Sequence, residues 1–202
     1  MRIALIFPNY LDNFYLISAS FYPSLGLGMI AAVLQEAGHQ IHIIDATAER
    51  LNIRRLEKKI NEINPDCIGI TANIAYAKKA ILTGRWLKHK FRRIPVIFGG
   101  PWPTVRYEII LEQDAGDFVV IGEGEKTIVE LVQVLEENGN LETVDGIAFK
   151  KNKKIVKNKQ RETIADLDSL PFPAWDLFPP HKKYFWDPKG SKFYPLMTSR
   201  GC

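Results

Sequence analysis

The residues able to do chemistry are few, and their spacing is informative. Cysteine occurs twice, at Cys67 and Cys202, and histidine four times, at His39, His42, His89 and His181. A zinc or iron site needs three or four such ligands brought together, and no spacing of that kind is complete within these 202 residues. Cys67 lies in an apolar run and reads as a small buried hydrophobe. Cys202 differs. It closes the run Thr198-Ser199-Arg200-Gly201-Cys202, directly after the apolar Tyr194-Pro195-Leu196-Met197, which reads as a starting strand. The expectation is that a further domain begins there and that Cys202 belongs to its chemistry. Glu123 and Glu125 could pair as acid and base, but two carboxylates before an apolar helical stretch are better read as partners of a helix N-terminus.

The loops carry more. Four segments that follow apolar runs are rich in glycine or short polar side chains. The first run leads to Asn9 and Tyr10 and on through Pro23-Ser24-Leu25-Gly26. The third leads to Thr71-Ala72-Asn73, the fourth to Gly99-Gly100-Pro101-Trp102-Pro103-Thr104, and the fifth to Gly122-Glu123-Gly124-Glu125. Glycine there lets the backbone approach a ligand and offers its amides as donors. A phosphate-binding Gly-x-x-x-x-Gly-Lys-Ser/Thr loop is absent, and Pro8-Asn9 stands where a dinucleotide fold would place its glycine-rich turn. A wide ligand lying on an amide-decorated rim suits these loops better than a triphosphate.

The elements that must hold those loops are legible from the pattern. Apolar runs at Arg2 to Phe7, Gln40 to Asp45, Asp66 to Thr71, Pro95 to Phe98 and Phe118 to Ile121 predict five strands. Between them, helical periodicity predicts helices over Leu25 to Ala37, Ala48 to Ile63, Ala75 to Lys90, Trp102 to Glu112 and Lys126 to Glu137. Wholly apolar strands alternating with amphipathic helices predict an α/β fold, a doubly wound, five-stranded parallel sheet of Rossmann or flavodoxin type. In such sheets ligands bind at the carboxyl ends of the strands, where all four loops fall. Asp145 to Phe149 and Lys154 to Lys157 predict a small β-hairpin, with the basic run 150–154 as its solvated turn. From Asp166 onward proline and aromatic residues dominate: six of twelve prolines lie between Pro171 and Pro195. This predicts a stiff strap rather than a flexible linker. The organisation expected is therefore 1–140 as the α/β domain, 141–165 as a hairpin extension, 166–197 as an interdomain strap and 198–202 as the start of a further domain.

Composition sets the outer bounds. With 46% hydrophobic and 25% charged residues the chain can bury a sizeable core, and a net charge of +4 does not demand a nucleic-acid partner. No apolar run approaches the roughly 18 residues of a membrane span. Two distant cysteines predict a reducing, cytoplasmic setting rather than a disulfide framework.

Taken in order, these stretches resemble the N-terminal cobalamin-binding domain of cobalamin-dependent radical S-adenosylmethionine (SAM) enzymes. The resemblance rests on Tyr22-Pro23-Ser24-Leu25-Gly26-Leu27 leading into Ala31 to His39, then Asp45, the loops at 99–104 and 122–127, Asp168 to Asp176, and Thr198 to Cys202. It implies a corrinoid lying on the carboxyl edge of the sheet, its nucleotide tail beside strands one, three and four. The candidate cofactor-binding residues are Asn9, Tyr10, Pro23, Leu25, Gly26, Thr71, Asn73, Gly99, Gly100, Pro101, Thr104, Gly122, Glu123, Gly124 and Glu125. It further implies a radical SAM barrel beyond Cys202, with Cys202 as the first of three thiolates holding a 4Fe–4S cluster, and methyltransferase chemistry. Methionine-synthase-like cobalamin domains carry Asp-x-His-x-x-Gly, whose histidine ligates cobalt; this chain lacks that pattern, so the resemblance implies base-off cobalamin without a histidine ligand. Two other readings fit the sequence: a module that positions the barrel without a corrinoid, and an unrelated flavodoxin-like or nucleotide-sugar-binding domain.

Overall fold

The computed structural model describes residues 1–9, 22–184 and 193–200. Strands β1 (Arg2–Phe7), β2 (Gln40–Asp45), β3 (Cys67–Thr71), β4 (Val96–Gly99) and β5 (Phe118–Val120) alternate with helices α1 (Leu25–Glu36), α2 (Ile53–Ile63), α3 (Ala77–Lys90), α4 (Pro101–Glu112) and α5 (Glu125–Glu137). Strands β6 (Ile147–Lys151) and β7 (Lys154–Lys157) follow. All seven form one sheet in the order β2-β1-β3-β4-β5-β6-β7. The first five are parallel, and the last two run antiparallel. The expected count of five is thus corrected to seven. The hairpin does not stand apart from the sheet: β6 pairs along β5, Phe118 opposite Phe149, and extends it. Its turn is Asn152-Lys153, both in the left-handed region at φ 51° and 65°, the two-residue geometry that matches strand twist.

Both faces of the sheet are covered, which is why the parallel strands are apolar throughout. On one face Ile3, Leu5, Ile41, Ile97 and Val120 pack beneath α1 and α5; on the other Ile6, Ile68, Ile70, Phe98 and Val119 pack against α2, α3 and α4. Helix α2 starts at Ile53 rather than Ala48. The Asp45 carboxylate accepts from the Ala48 amide at 2.9 Å, and Arg50 takes a left-handed φ of 49°, so residues 46–50 form turns instead of a helical turn. The Asn52 side chain then caps the helix by accepting from the Arg55 amide.

The proline-rich stretch folds back onto the same body. The Ala174 amide donates to the Gly28 carbonyl at 3.0 Å, and a Cβ on Gly28 would lie 3.0 Å from Pro173, so α1 carries glycine where this stretch crosses it. Ala174, Phe178 and Tyr184 are buried with the α1 and α5 core, whereas Phe172 is 89% exposed. Among the described residues no helix is long and apolar enough to cross a membrane.

Candidate functional site

Neighbouring parallel strands β1 and β3 lead to connections on opposite faces, which opens a crevice at their carboxyl ends. At that edge lies a cavity of about 350 Å³. Its floor comes from the sheet. Gly69 on β3 stands between Leu5 on β1 and Ile97 on β4 in register, and all three line the cavity. A Cβ on Gly69 would lie 2.7 Å from the Leu5 Cδ2. The missing side chain is thus what keeps a groove open in an otherwise filled layer. Leu27 and Ile30 of α1 and Ile128 of α5 form the flanks.

The rim is backbone. Gly99-Gly100 ends β4, and Gly100 takes φ 109° with its Cα so close to the β3 loop that a Cβ would meet the Ala72 carbonyl at 2.6 Å. Only glycine fits there. The Thr104 hydroxyl donates to the Gly100 carbonyl at 3.0 Å and accepts from the Gly122 amide at 3.1 Å, fastening the loop after β4 to the loop after β5. Glu125, the first residue of α5, is buried where the helix dipole favours an anion. Glu123 accepts from the Ile164 amide at 2.6 Å. Both carboxylates face Arg200, which donates to Glu125 at 2.5 Å and lies 3.7 Å from Glu123. Two acids engaged in this way serve as helix-terminus and ion-pair partners.

Ten of the candidate residues read from the sequence line this one cavity: Gly26, Thr71, Gly99, Gly100, Pro101, Thr104, Gly122, Glu123, Gly124 and Glu125. Four do not. Asn9 donates through its amide to the Leu51 carbonyl at 2.8 Å, Asn73 accepts from the Ala75 amide to open a turn before α3, and Pro23 and Leu25 sit at the entry of α1 without reaching the cavity. Tyr10 and Cys202 lie outside the described residues. The apolar floor and flanks escaped the sequence reading, as did Met197 and Arg200, which also line the cavity. Gly69 left one signal: an isolated glycine inside an apolar strand marks a bulge or a close approach.

No histidine lines the cavity, and among the described residues no group of three or more His, Cys, Asp or Glu could hold a metal ion. Cys67 is fully buried, and burial pushes its thiol up to about 12, so it stays protonated and unreactive. A separate polar cluster closes the end of β2. The Tyr184 hydroxyl donates to the buried Asp45 carboxylate at 3.1 Å, and the Thr47 hydroxyl to the Pro8 carbonyl at 2.8 Å. Burial raises the Asp45 carboxyl to about 6, against the hydrogen bonds from Ala48 and Tyr184 that favour its ionised form.

Comparison with known proteins agrees with this geometry. The chain is 33% identical over 203 residues to an uncharacterized methyltransferase of Pyrococcus horikoshii, covering 100% of this chain and 43% of that protein. It is 30% identical to an anaerobic magnesium-protoporphyrin IX monomethyl ester cyclase of Cereibacter sphaeroides, covering 100% of this chain and 33% of the relative. The chain therefore spans less than half the length of these relatives. Its fold matches the cobalamin-dependent SAM radical enzyme OxsB, with aqua-cobalamin and SAM bound, at a TM-score of 0.72 and 22% identity over 87% of this chain and 24% of that one. It also matches the radical SAM methyltransferase TsrM of Kitasatospora setae at 0.64 and 20% identity, over 85% of this chain and 30% of that one. Residues 17–132 match the B12 binding domain. With a crevice at the β1/β3 switch point, a glycine-floored groove and a backbone rim built from the predicted loops, the chain belongs to the B12 binding domain family.

Proposed function

We propose that this chain is the corrinoid-binding part of a radical SAM enzyme of methyltransferase type. The observation that carries the reading is the groove over Gly69, an apolar slot rimmed by glycine backbone, within a B12 binding domain. The residues present fit a corrinoid. Leu5, Ile97, Leu27, Ile30 and Ile128 offer an apolar sleeve suited to the aromatic base of a nucleotide tail, and the glycine rim of 99–100 and 122–124 leaves room for a flat macrocycle to approach the backbone. With no histidine in the lining, binding would be base-off without a protein imidazole on the metal. When bound, the corrinoid supplies a cobalt centre able to carry a methyl group. This chain's residues then bind, orient and exclude water: the sleeve holds the base dry, and Thr104 holds the two rim loops in register.

The larger organisation is part of the same proposal. Residues 1–140 bind the corrinoid, 141–165 extend the sheet, 166–197 bridge to a barrel that binds SAM, and 198–202 open that barrel, with Cys202 as one thiolate of a 4Fe–4S cluster. Relatives described as a methyltransferase and as a magnesium-protoporphyrin cyclase support this reading. The test is retention of hydroxocobalamin after anaerobic, reducing incubation and desalting. Stoichiometric retention with a base-off visible spectrum is expected. A folded chain that retains none would favour the corrinoid-free positioning module, and a spectrum of nitrogen-ligated cobalt, whether from the cofactor's own base or from a histidine, would overturn the base-off reading without a protein imidazole.

A further inference from the structure

The floor and flanks of the cavity carry no polar side chain. Leu5, Gly69 and Ile97 form the floor, continued by Val120 of β5, and Leu27, Ile30 and Ile128 form the flanks. Their backbone is committed as well. Leu5 faces Gly69 and Gly69 faces Ile97 in parallel ladders, Val120 faces Ile147 in an antiparallel one, and the flanking residues lie within α1 and α5. Among the described residues, polar side chains line the cavity only at its rim, and most of them are engaged. Thr104 spends its hydroxyl on the Gly100 carbonyl and the Gly122 amide, Glu123 accepts from the Ile164 amide, and Glu125 accepts from Arg200. A group lodged over Gly69 therefore meets dispersion and shape, and floor and flanks offer it no donor or acceptor.

We propose that this groove selects among corrinoids by the base of the nucleotide tail, taking dimethylbenzimidazole and rejecting adenine. The inference rests on the corrinoid reading and deepens it. Corrinoids share one macrocycle and differ in that base. The two bases are flat bicycles of similar size, so volume does not separate them; polarity does. Adenine carries an exocyclic amine and several ring nitrogens that water satisfies and the groove does not, and each is left unpaired on burial. Dimethylbenzimidazole turns two methyl groups to the apolar wall and keeps a single free ring nitrogen. Ile30 is the flank residue at which the selection can be altered, because it is half-buried and a polar side chain there is not forced into the core.

Competition for the 202-residue chain decides it. Cobalamin, its adeninyl analogue and cobinamide, which lacks the nucleotide tail, are mixed in equal amounts with limiting protein under anaerobic, reducing conditions. The retained corrinoids are then separated and quantified. Cobalamin should be retained at least about tenfold over each of the others. Adenine leaves cobalt more readily than dimethylbenzimidazole does, so the base-off step opposes this order, and a preference for cobalamin over the adeninyl form belongs to the groove. Ile30→Gln, which places an amide in the flank, should narrow the ratio of cobalamin to the adeninyl form by at least about threefold. An adeninyl analogue or a cobinamide retained as well as cobalamin overturns the selection and leaves the corrinoid reading standing. A ratio that Ile30→Gln does not move overturns the apolar flank as its source. Should the variant retain neither form, the wild-type ratio carries the test alone. A folded chain that retains no corrinoid at all overturns both readings.

Discussion

Gly69 and Gly100 use the same missing Cβ for different ends. At Gly69 the backbone is an ordinary strand and only space is at stake. Gly69→Val should fill the groove against Leu5, weaken cobalamin retention by at least about tenfold, and lower stability by about 1–3 kcal/mol, as overpacking does. Retention equal to that of the wild type would remove the groove from the binding site. At Gly100 the backbone itself is special. Gly100→Ala must hold φ 109° and push against the Ala72 carbonyl, so a loss of about 2 kcal/mol or more is expected in urea unfolding, ligand or no ligand. The sequence announced Gly99-Gly100 because a paired glycine before Pro101 punctuates a strand end. It hid the apolar sleeve, because a leucine or isoleucine that lines a ligand slot has the same periodicity as one that packs on a neighbour. Asn9 and Asn73 were read as ligand-facing because short amides at strand ends suit that role; in the structure Asn73 opens a local turn and Asn9 reaches the Leu51 carbonyl, and neither lines the cavity.

Helix α3 shows how elements are fitted rather than merely formed. A Cβ at Gly84 would lie 2.3 Å from the Ala115 carbonyl and 2.7 Å from the Phe98 ring, so α3 sits closer to the sheet than alanine allows. Gly84→Ala should therefore cost about 1–3 kcal/mol, although alanine is the better helix former; thermal unfolding of the pair checks the sign. The five parallel strands and five helices were legible because short, wholly apolar runs alternate with longer stretches of helical period. Two features were not. The start of α2 depends on the Asp45 carboxylate and the left-handed Arg50, a contest between local turn and helix that periodicity does not weigh. The joining of β6 to β5 depends on tertiary pairing, and an isolated hairpin and a sheet extension carry the same alternation.

Across the whole molecule, Asp45 and Tyr184 join segments 139 residues apart. Because the folded Asp45 carboxyl titrates near 6, above its ordinary range, the native state binds that proton more tightly than the unfolded chain does. Its contribution to stability is present below about pH 4 and is lost as pH rises to about 6, a change on the order of 3 kcal/mol. The stability difference between wild type and Asp45→Asn should move by that much in the variant's favour between pH 4 and pH 7; a flat difference would remove Asp45 as the titrating group. The seven-stranded sheet has a last consequence. Among the described residues no strand pairs with the outer side of β7, which leaves a row of amides and carbonyls at the sheet edge. Its half-buried Ile155 and Val156 would suit a recruited strand, but Lys154 and Lys157 stand exposed at its two ends. Two ammonium groups on so short a strand make edge-to-edge stacking of copies repulsive. Lysines at both ends of the strand thus oppose its pairing with the same edge of a second copy.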